Sequence, residues 1–253
     1  MNPYSEAPST HRVERPASLV EQTVQRLARN IVSGLYAGET LPTQDELARE
    51  FEVSRTVMRE ALSMLVSRGM LDVRTKTGTR ARPMREWQVL NRDVVEWRFL
   101  RTPEDEFMRD LVDFRVEIEV RAARLAAERA SAEDMAAIHE AFVILERHKI
   151  DDPQFMVVDE NLHAAILKAS NNRFFDQMAP IVRAALGLVS KAQRALPQMG
   201  DGVIEAHRKV VVAIEARDAD GAEAAMRELL GHMCEDVEYL IARRSESAPE
   251  QGA

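Results

Sequence analysis

The sequence predicts a mainly α protein in two parts: three short helices closed by a β-hairpin, then an all-α bundle. Three observations carry this. Apolar residues recur at three- and four-residue steps through 18–36, and again, with breaks, through 104–245. Only residues 70–82 alternate like a hairpin. Charge divides the same way. From Val53 to Arg85 there are eight Lys/Arg (Arg55, Arg59, Arg68, Arg74, Lys76, Arg80, Arg82, Arg85) against Glu60 and Asp72, in a chain whose net charge is −8. The basic patch therefore belongs to the first part and the acid excess to the second.

Residues 1–17 are polar, hold three prolines, and read as a flexible arm whose Arg12 and Arg15 could touch an anionic partner. Residues 18–83 follow as one unit. Its first helix, 18–36, carries Leu19, Val20, Thr23, Val24, Leu27, Ile31 and Leu35 at the helical period and closes at Gly34 and Gly38. Thr43 caps a short second helix, with Glu46 three residues on as its reciprocal partner. Phe51-Glu52-Val53 is a tight turn.

A third helix begins at Ser54, whose oxygen can satisfy a free N–H of the first turn, and ends near Arg68-Gly69. Val57, Ala61, Leu62 and Leu65 form its expected apolar face, while Arg55 and Arg59 share another face. Guanidinium groups placed so suit phosphate oxygens and the paired acceptors of a guanine edge. Met70–Arg74 and Thr79–Arg82 form a hairpin wing with Lys76 at its tip and Gly78 allowing close backbone approach. Helix, helix, helix and wing make a winged helix-turn-helix, the third helix entering the DNA major groove.

Residues 84–103 are a linker in which Trp87, Leu90, Val94, Trp97 and Leu100 are expected to pack along one side. Residues 104–245 show no convincing strand and divide into helices at about 104–129, 132–148, 152–169, 173–195, 201–216 and 219–244, leaving 246–253 as a flexible tail. Ligand sites in such bundles are built from inward side chains. Asp159 and His163 lie four apart on one helix, and His207 lies on a later one. A carboxylate with two imidazoles is a recurrent transition-metal ligand set, and equally a hydrogen-bonded core or surface group. His139 and His148 fall in a charged helix and read as exposed.

Several classes are excluded or weakened. No apolar run is long enough to cross a bilayer, and the N-terminus lacks a basic start followed by an apolar stretch, so neither membrane nor secretion is expected. Cys234 is the sole cysteine, which forbids an internal disulfide and fits a cytoplasmic protein. A metal-dependent hydrolase or lyase using Asp159, His163 and His207 is the rival reading. It needs a nucleophile or base beside the metal; Glu160 is adjacent in sequence but points elsewhere on the helix. No recognisable Ser–His or Cys–His arrangement and no phosphate loop is present, so the chain reads as not an enzyme.

Leu41-Pro42-Thr43, Val53-Ser54-Arg55-Thr56, Arg59-Glu60-Ala61-Leu62, Leu65, Gly69-Met70-Leu71 and Gly78-Thr79 resemble the winged helix-turn-helix of the GntR family of bacterial transcription regulators. The resemblance implies DNA contact by Ser54, Arg55, Thr56 and Arg59 and by the wing at Lys76, Thr77 and Gly78. Where this chain has Asp45, many members carry an arginine that touches DNA, which implies an altered operator preference.

Phe107 to Glu119, Asp159-x-x-x-His163 with Ala169-Ser170-Asn171-Asn172, and His207 followed by Ala213-Ile214-x-Ala216-Arg217-Asp218 resemble the FCD effector domain of the FadR subfamily. There an aspartate and three histidines commonly hold a divalent metal (Zn, Ni or Mn) that helps anchor a carboxylate effector. Asp159, His163 and His207 match three positions; the fourth falls at Leu229, with His232 one turn along as a candidate substitute. Arg115 is the candidate effector-binding cation. The linker and Leu41 to Gln44 are similar to regulators of sugar-acid catabolism of the galactonate-operon type. The implied protein is a homodimeric repressor on palindromic operator DNA, released by a small organic acid.

Overall fold

The computed structural model describes residues 17–37, 40–74, 78–100, 104–149, 152–193 and 202–247. Ten helices and one two-stranded sheet occur among them, in two compact units that divide after Gln88. The arm with Arg12 and Arg15, and the wing tip with Lys76 and Thr77, lie outside the described residues.

In the first unit each helix starts where a side chain can close its first turn. Ser18 and Glu21 form a reciprocal box on α1 (Leu19–Val32), and Thr43 and Glu46 do the same on α2 (Gln44–Glu50). Ser54 Oγ accepts from the Val57 amide, 3.2 Å away, at the head of α3 (Arg55–Ser67). Glu52 takes a left-handed φ of 56° in the turn between α2 and α3. Val24, Leu27 and Ile31 of α1, Leu47 of α2 and Met58, Ala61, Leu62 and Leu65 of α3 are buried as the core.

The expected apolar face of α3 is corrected in one place: Met58, with no exposed surface, takes the inward position expected of Val57, which is half-buried. Both lie within one helical step of the stripe, and periodicity alone does not separate them. Strands β1 (Leu71–Arg74) and β2 (Gly78–Ala81) pair antiparallel, Leu71 opposite Ala81 and Arg74 opposite Gly78. The wing is stitched back to the segment before α2. Leu41 N donates to Thr79 O at 2.7 Å, and a Cβ on Gly78, whose φ is +78°, would lie 2.6 Å from Thr40 Cγ2.

The linker is more structured than its composition suggests. Met84–Glu86 form a 3₁₀ turn, and Asn91 caps a short helix α4 (Arg92–Arg98). Trp87 is buried in the first unit, its indole N–H donating to Arg82 O at 2.9 Å; Val94 and Trp97 are buried in the second. Leu90 and Leu100 are exposed, contrary to the single packed side expected, because they lie outside the helix that carries the stripe.

The second unit is a bundle of α5 (Asp105–Arg129), α6 (Ala132–Leu145), α7 (Phe155–Ala169), α8 (Arg173–Gln193), α9 (Val203–Glu215) and α10 (Ala219–Ser247), with α4 against α8. Helix α5 is the hub, packing on α10, α7 and α9. Its buried residues include a run of alanines, Ala122, Ala123, Ala126 and Ala127, small side chains that let neighbouring helices approach. Among the described residues, no helix is long and apolar enough to cross a membrane.

Candidate functional site

Two places carry the candidate residues, and they differ in kind. On α3 the core takes Met58, Ala61, Leu62 and Leu65, which turns Arg55, Thr56 and Arg59 to solvent together with the cap residue Ser54. Arg55 is the first residue of the helix and its side chain is 76% exposed. Its Nε lies 2.9 Å from Asp45 Oδ1, and its carbonyl accepts from Gln44 Nε2 at 3.1 Å, so α2 grips the head of α3 twice. Gly78 opens β2 opposite Arg74, at the loop end of the wing.

The second place is inside the bundle. Helix α7 supplies Asp159 and His163, α9 supplies His207, and α5 supplies Glu119 and Arg115; all five are buried. One ligand atom each from Asp159, His163 and His207 lie within 4.8 Å of one another. The proton positions follow from the partners. His207 Nδ1 lies 2.7 Å from the Val203 carbonyl, which only accepts, so Nδ1 carries a hydrogen. His163 Nδ1 donates in the same way to the Glu119 carboxylate. In the neutral rings both Nε2 atoms then present lone pairs.

Those two Nε2 atoms face each other at 3.3 Å, and Asp159 Oδ1 lies 2.9 Å from that of His207 and 3.7 Å from that of His163. Oδ1 is buried and, with Nε2 of His207 unprotonated, finds no hydrogen-bond donor among the described residues. Three electron-pair donors thus converge away from water. Such an arrangement is costly unless a cation joins it, whether a proton on a ring or a metal ion. The donor set, one carboxylate oxygen and two imidazole nitrogens, is that of a divalent transition metal, so these residues fit one.

The electrostatics agree. Burial opposes the charge on Glu119, but Arg115 and His163 outweigh it and hold the carboxyl at about 2. Burial also opposes the charge on Asp159, and the neighbouring His207 and His163 nevertheless hold its carboxyl below the usual range. Burial pushes His163 down, yet the charge and hydrogen bond of Glu119 leave it raised. The permanently charged group common to both carboxylates is the Arg115 guanidinium.

Glu119 is the residue that pattern-reading missed as a site member. It accepts from His163 Nδ1 with one oxygen and from Arg115 Nε, at 2.6 Å, with the other. The available signal was the four-residue step from Arg115 to Glu119 on an otherwise apolar face of α5. Arg115 is accordingly an engaged guanidinium, paired within its own helix rather than across helices, with Nη1 against Met233 Sδ of α10.

His232 is exposed and stands apart from the trio, because α10 turns Leu229, Leu230 and Met233 inward at that level. Among the described residues, His232 is not one of the converging ligands. His139 is exposed and contacts Glu215 at 2.8 Å; His148, expected to be exposed, is half-buried with Nδ1 against Ile144 O because the chain turns just after α6 ends.

The comparisons with known proteins follow this division. Residues 19–80 match the family described as "Bacterial regulatory proteins, gntR family", and residues 110–232 match the "FCD domain". The chain is 28% identical over 214 residues to the "Galactonate operon transcriptional repressor" of Escherichia coli, covering 81% of this chain and 90% of that one. It is 31% identical over 221 residues to the "Putative L-lactate dehydrogenase operon regulatory protein" of Escherichia coli, covering 83% of each. The solved structure of Escherichia coli McbR/YncC shares the fold, with 20% identity, 90% of this chain and all of that one covered, and a TM-score of 0.51. The matched domains and these relatives are regulatory, and none supports the hydrolase or lyase alternative. The chain is a DNA-binding transcription regulator, a member of the bacterial GntR family with an FCD domain of the FadR type.

Proposed function

We propose that the protein is a homodimeric repressor whose residues 18–83 bind palindromic operator DNA and whose residues 104–245 dimerise and bind a small sugar-acid-type effector that releases it. The observation that carries this is the buried convergence of Asp159, His163 and His207 within an FCD domain. Ser54, Arg55, Thr56 and Arg59, with Lys76, Thr77 and Gly78 of the wing, contact the DNA; phosphate contacts supply affinity and Arg55 and Arg59 supply discrimination.

Asp159, His163 and His207 would hold a divalent ion (Zn, Ni or Mn), which would supply positive charge for the effector's carboxylate. Glu119 fixes the His163 ring and the Val203 carbonyl fixes the His207 ring, so each offers Nε2. Arg115 adds positive charge next to the site while tied to Glu119. The relatives are named for operons of galactonate and of L-lactate dehydrogenase. Galactonate and lactate share the α-hydroxy carboxylate group, which supports that chemistry for the effector. The acid shifts DNA occupancy only by its different affinity for the binding and released states.

A thermal-shift screen of aldonates, uronates and short α-hydroxy acids, with and without chelator, tests this. A ligand confined to the native state raises apparent stability by mass action. The expected outcome is a shift with one of these acids that disappears on chelation. A shift with acyl-CoA esters and none with hydroxy acids would refute the effector class.

A further inference from the structure

We infer that Asp45 is a specificity-positioning residue: its carboxylate holds the Arg55 guanidinium by Nε, so that Arg55 separates operator from other duplex DNA. The inference rests on α3 being the DNA-reading helix.

Arg55 occupies the first position of α3, where the helix dipole presents its positive end and a cation is disfavoured. The first turn of α3 contains no acid of its own. The compensating charge has to come from a neighbouring element, and α2 supplies it. Of the two acids in the first turn of α2, Glu46 is committed to the Thr43 cap through that residue's N–H and hydroxyl, both at 2.8 Å. Asp45 is the other, and its Oδ1 sits 2.9 Å from Arg55 Nε. Arg49 donates to the Asp45 backbone carbonyl rather than to its carboxylate, at 3.3 Å. Asp45 and Arg55 together border a cleft of about 430 Å³ between α2 and α3, with Glu52 and Arg49 also at its wall.

Both partners are at least half exposed, at 50% for Asp45 and 76% for Arg55. A pair this open contributes little to folding. Its consequence lies at the DNA. A carboxylate beside Arg55 repels phosphate oxygens, which penalises the backbone-only binding mode that every duplex offers. A guanine edge carries uncharged acceptors and draws a smaller penalty. Asp45 also takes the Nε edge of the guanidinium, and the two terminal nitrogens are the pair that matches the two acceptors of guanine. One aspartate thus lowers affinity for unselected DNA and narrows the poses of the arginine that reads the base.

The test uses the full chain and two duplexes of equal length: one selected by the wild-type protein from a randomised pool, and one unselected. Fluorescence anisotropy over a salt series gives both affinities for wild type, Asp45→Ala, Asp45→Asn, Arg55→Ala and the double Asp45→Ala/Arg55→Ala variant. Melting curves confirm that each is folded. The expected result is tighter binding of the unselected duplex by both Asp45 variants and a selected-to-unselected ratio lowered about 5- to 10-fold. The double variant should match Arg55→Ala in that ratio, since Asp45 acts through Arg55. An unchanged ratio in both Asp45 variants, alongside its loss in Arg55→Ala, would overturn the role of Asp45 and leave the reading helix standing. A ratio unchanged in Arg55→Ala would overturn the reading helix and this inference with it.

Discussion

The two units place their functional side chains in opposite environments. On α3, Arg55, Thr56 and Arg59 stand in solvent on a helix whose other face is anchored by Met58 and Leu65. In the bundle, Arg115, Glu119 and His163 are 1–2% exposed and locked to one another. The difference follows from what each meets. A phosphate or base edge arrives from outside and brings its own counterions, so exposed cations cost the free protein little. A small acid has to be drawn out of water, which requires charges that are already desolvated and already paired. The first unit can therefore lose a polar contact cheaply, and the second cannot.

The largest expected effect is in the bundle. Glu119→Ala leaves Arg115 buried without its carboxylate and frees the His163 ring, and should lower unfolding stability by about 3–5 kcal/mol in urea denaturation. The loss should depend on pH. The Glu119 carboxyl is depressed from 4.5 to about 2 by Arg115 and His163 against burial, so its contribution is complete above its ordinary value and is lost as pH falls toward 2. The stability gap between wild type and Glu119→Ala should narrow across that acid window; a gap independent of pH would mean that the charge is not what matters.

The corresponding change in the first unit is Ser54→Ala, which removes one exposed cap on the Val57 amide. It should cost about 1 kcal/mol by the same measurement, because water can replace the lost acceptor. Equal losses in the two variants would erase the distinction between the units.

Legibility from sequence also differed between them. Caps, turns and the wing depend on local residue chemistry, and Thr43, Ser54 and Gly78 announce them directly. The bundle helices were legible from period and from breaks such as Asn171, which takes a left-handed φ of 51°. Asp159, His163 and His207 were legible as a set of ligand types, and the structure brings all three together. What sequence could not supply was tertiary. Nothing local distinguishes Met58 from Val57 as the inward residue, and a short polar stretch conceals α4. Glu119 is one acid among many on α5 until α7 brings His163 against it, and His232 looks inward only until the neighbouring turn of α10 is seen to point Met233 there.

The most direct test joins the two units in one measurement: anisotropy of labelled operator DNA titrated with the protein, with and without aldonate or α-hydroxy acid, repeated after chelation and with His163→Ala. The account predicts that one such acid weakens operator binding with metal present, and that the effect vanishes with chelator or in the variant. Operator affinity that stays the same with every acid, or that falls equally after the metal is removed, would contradict it.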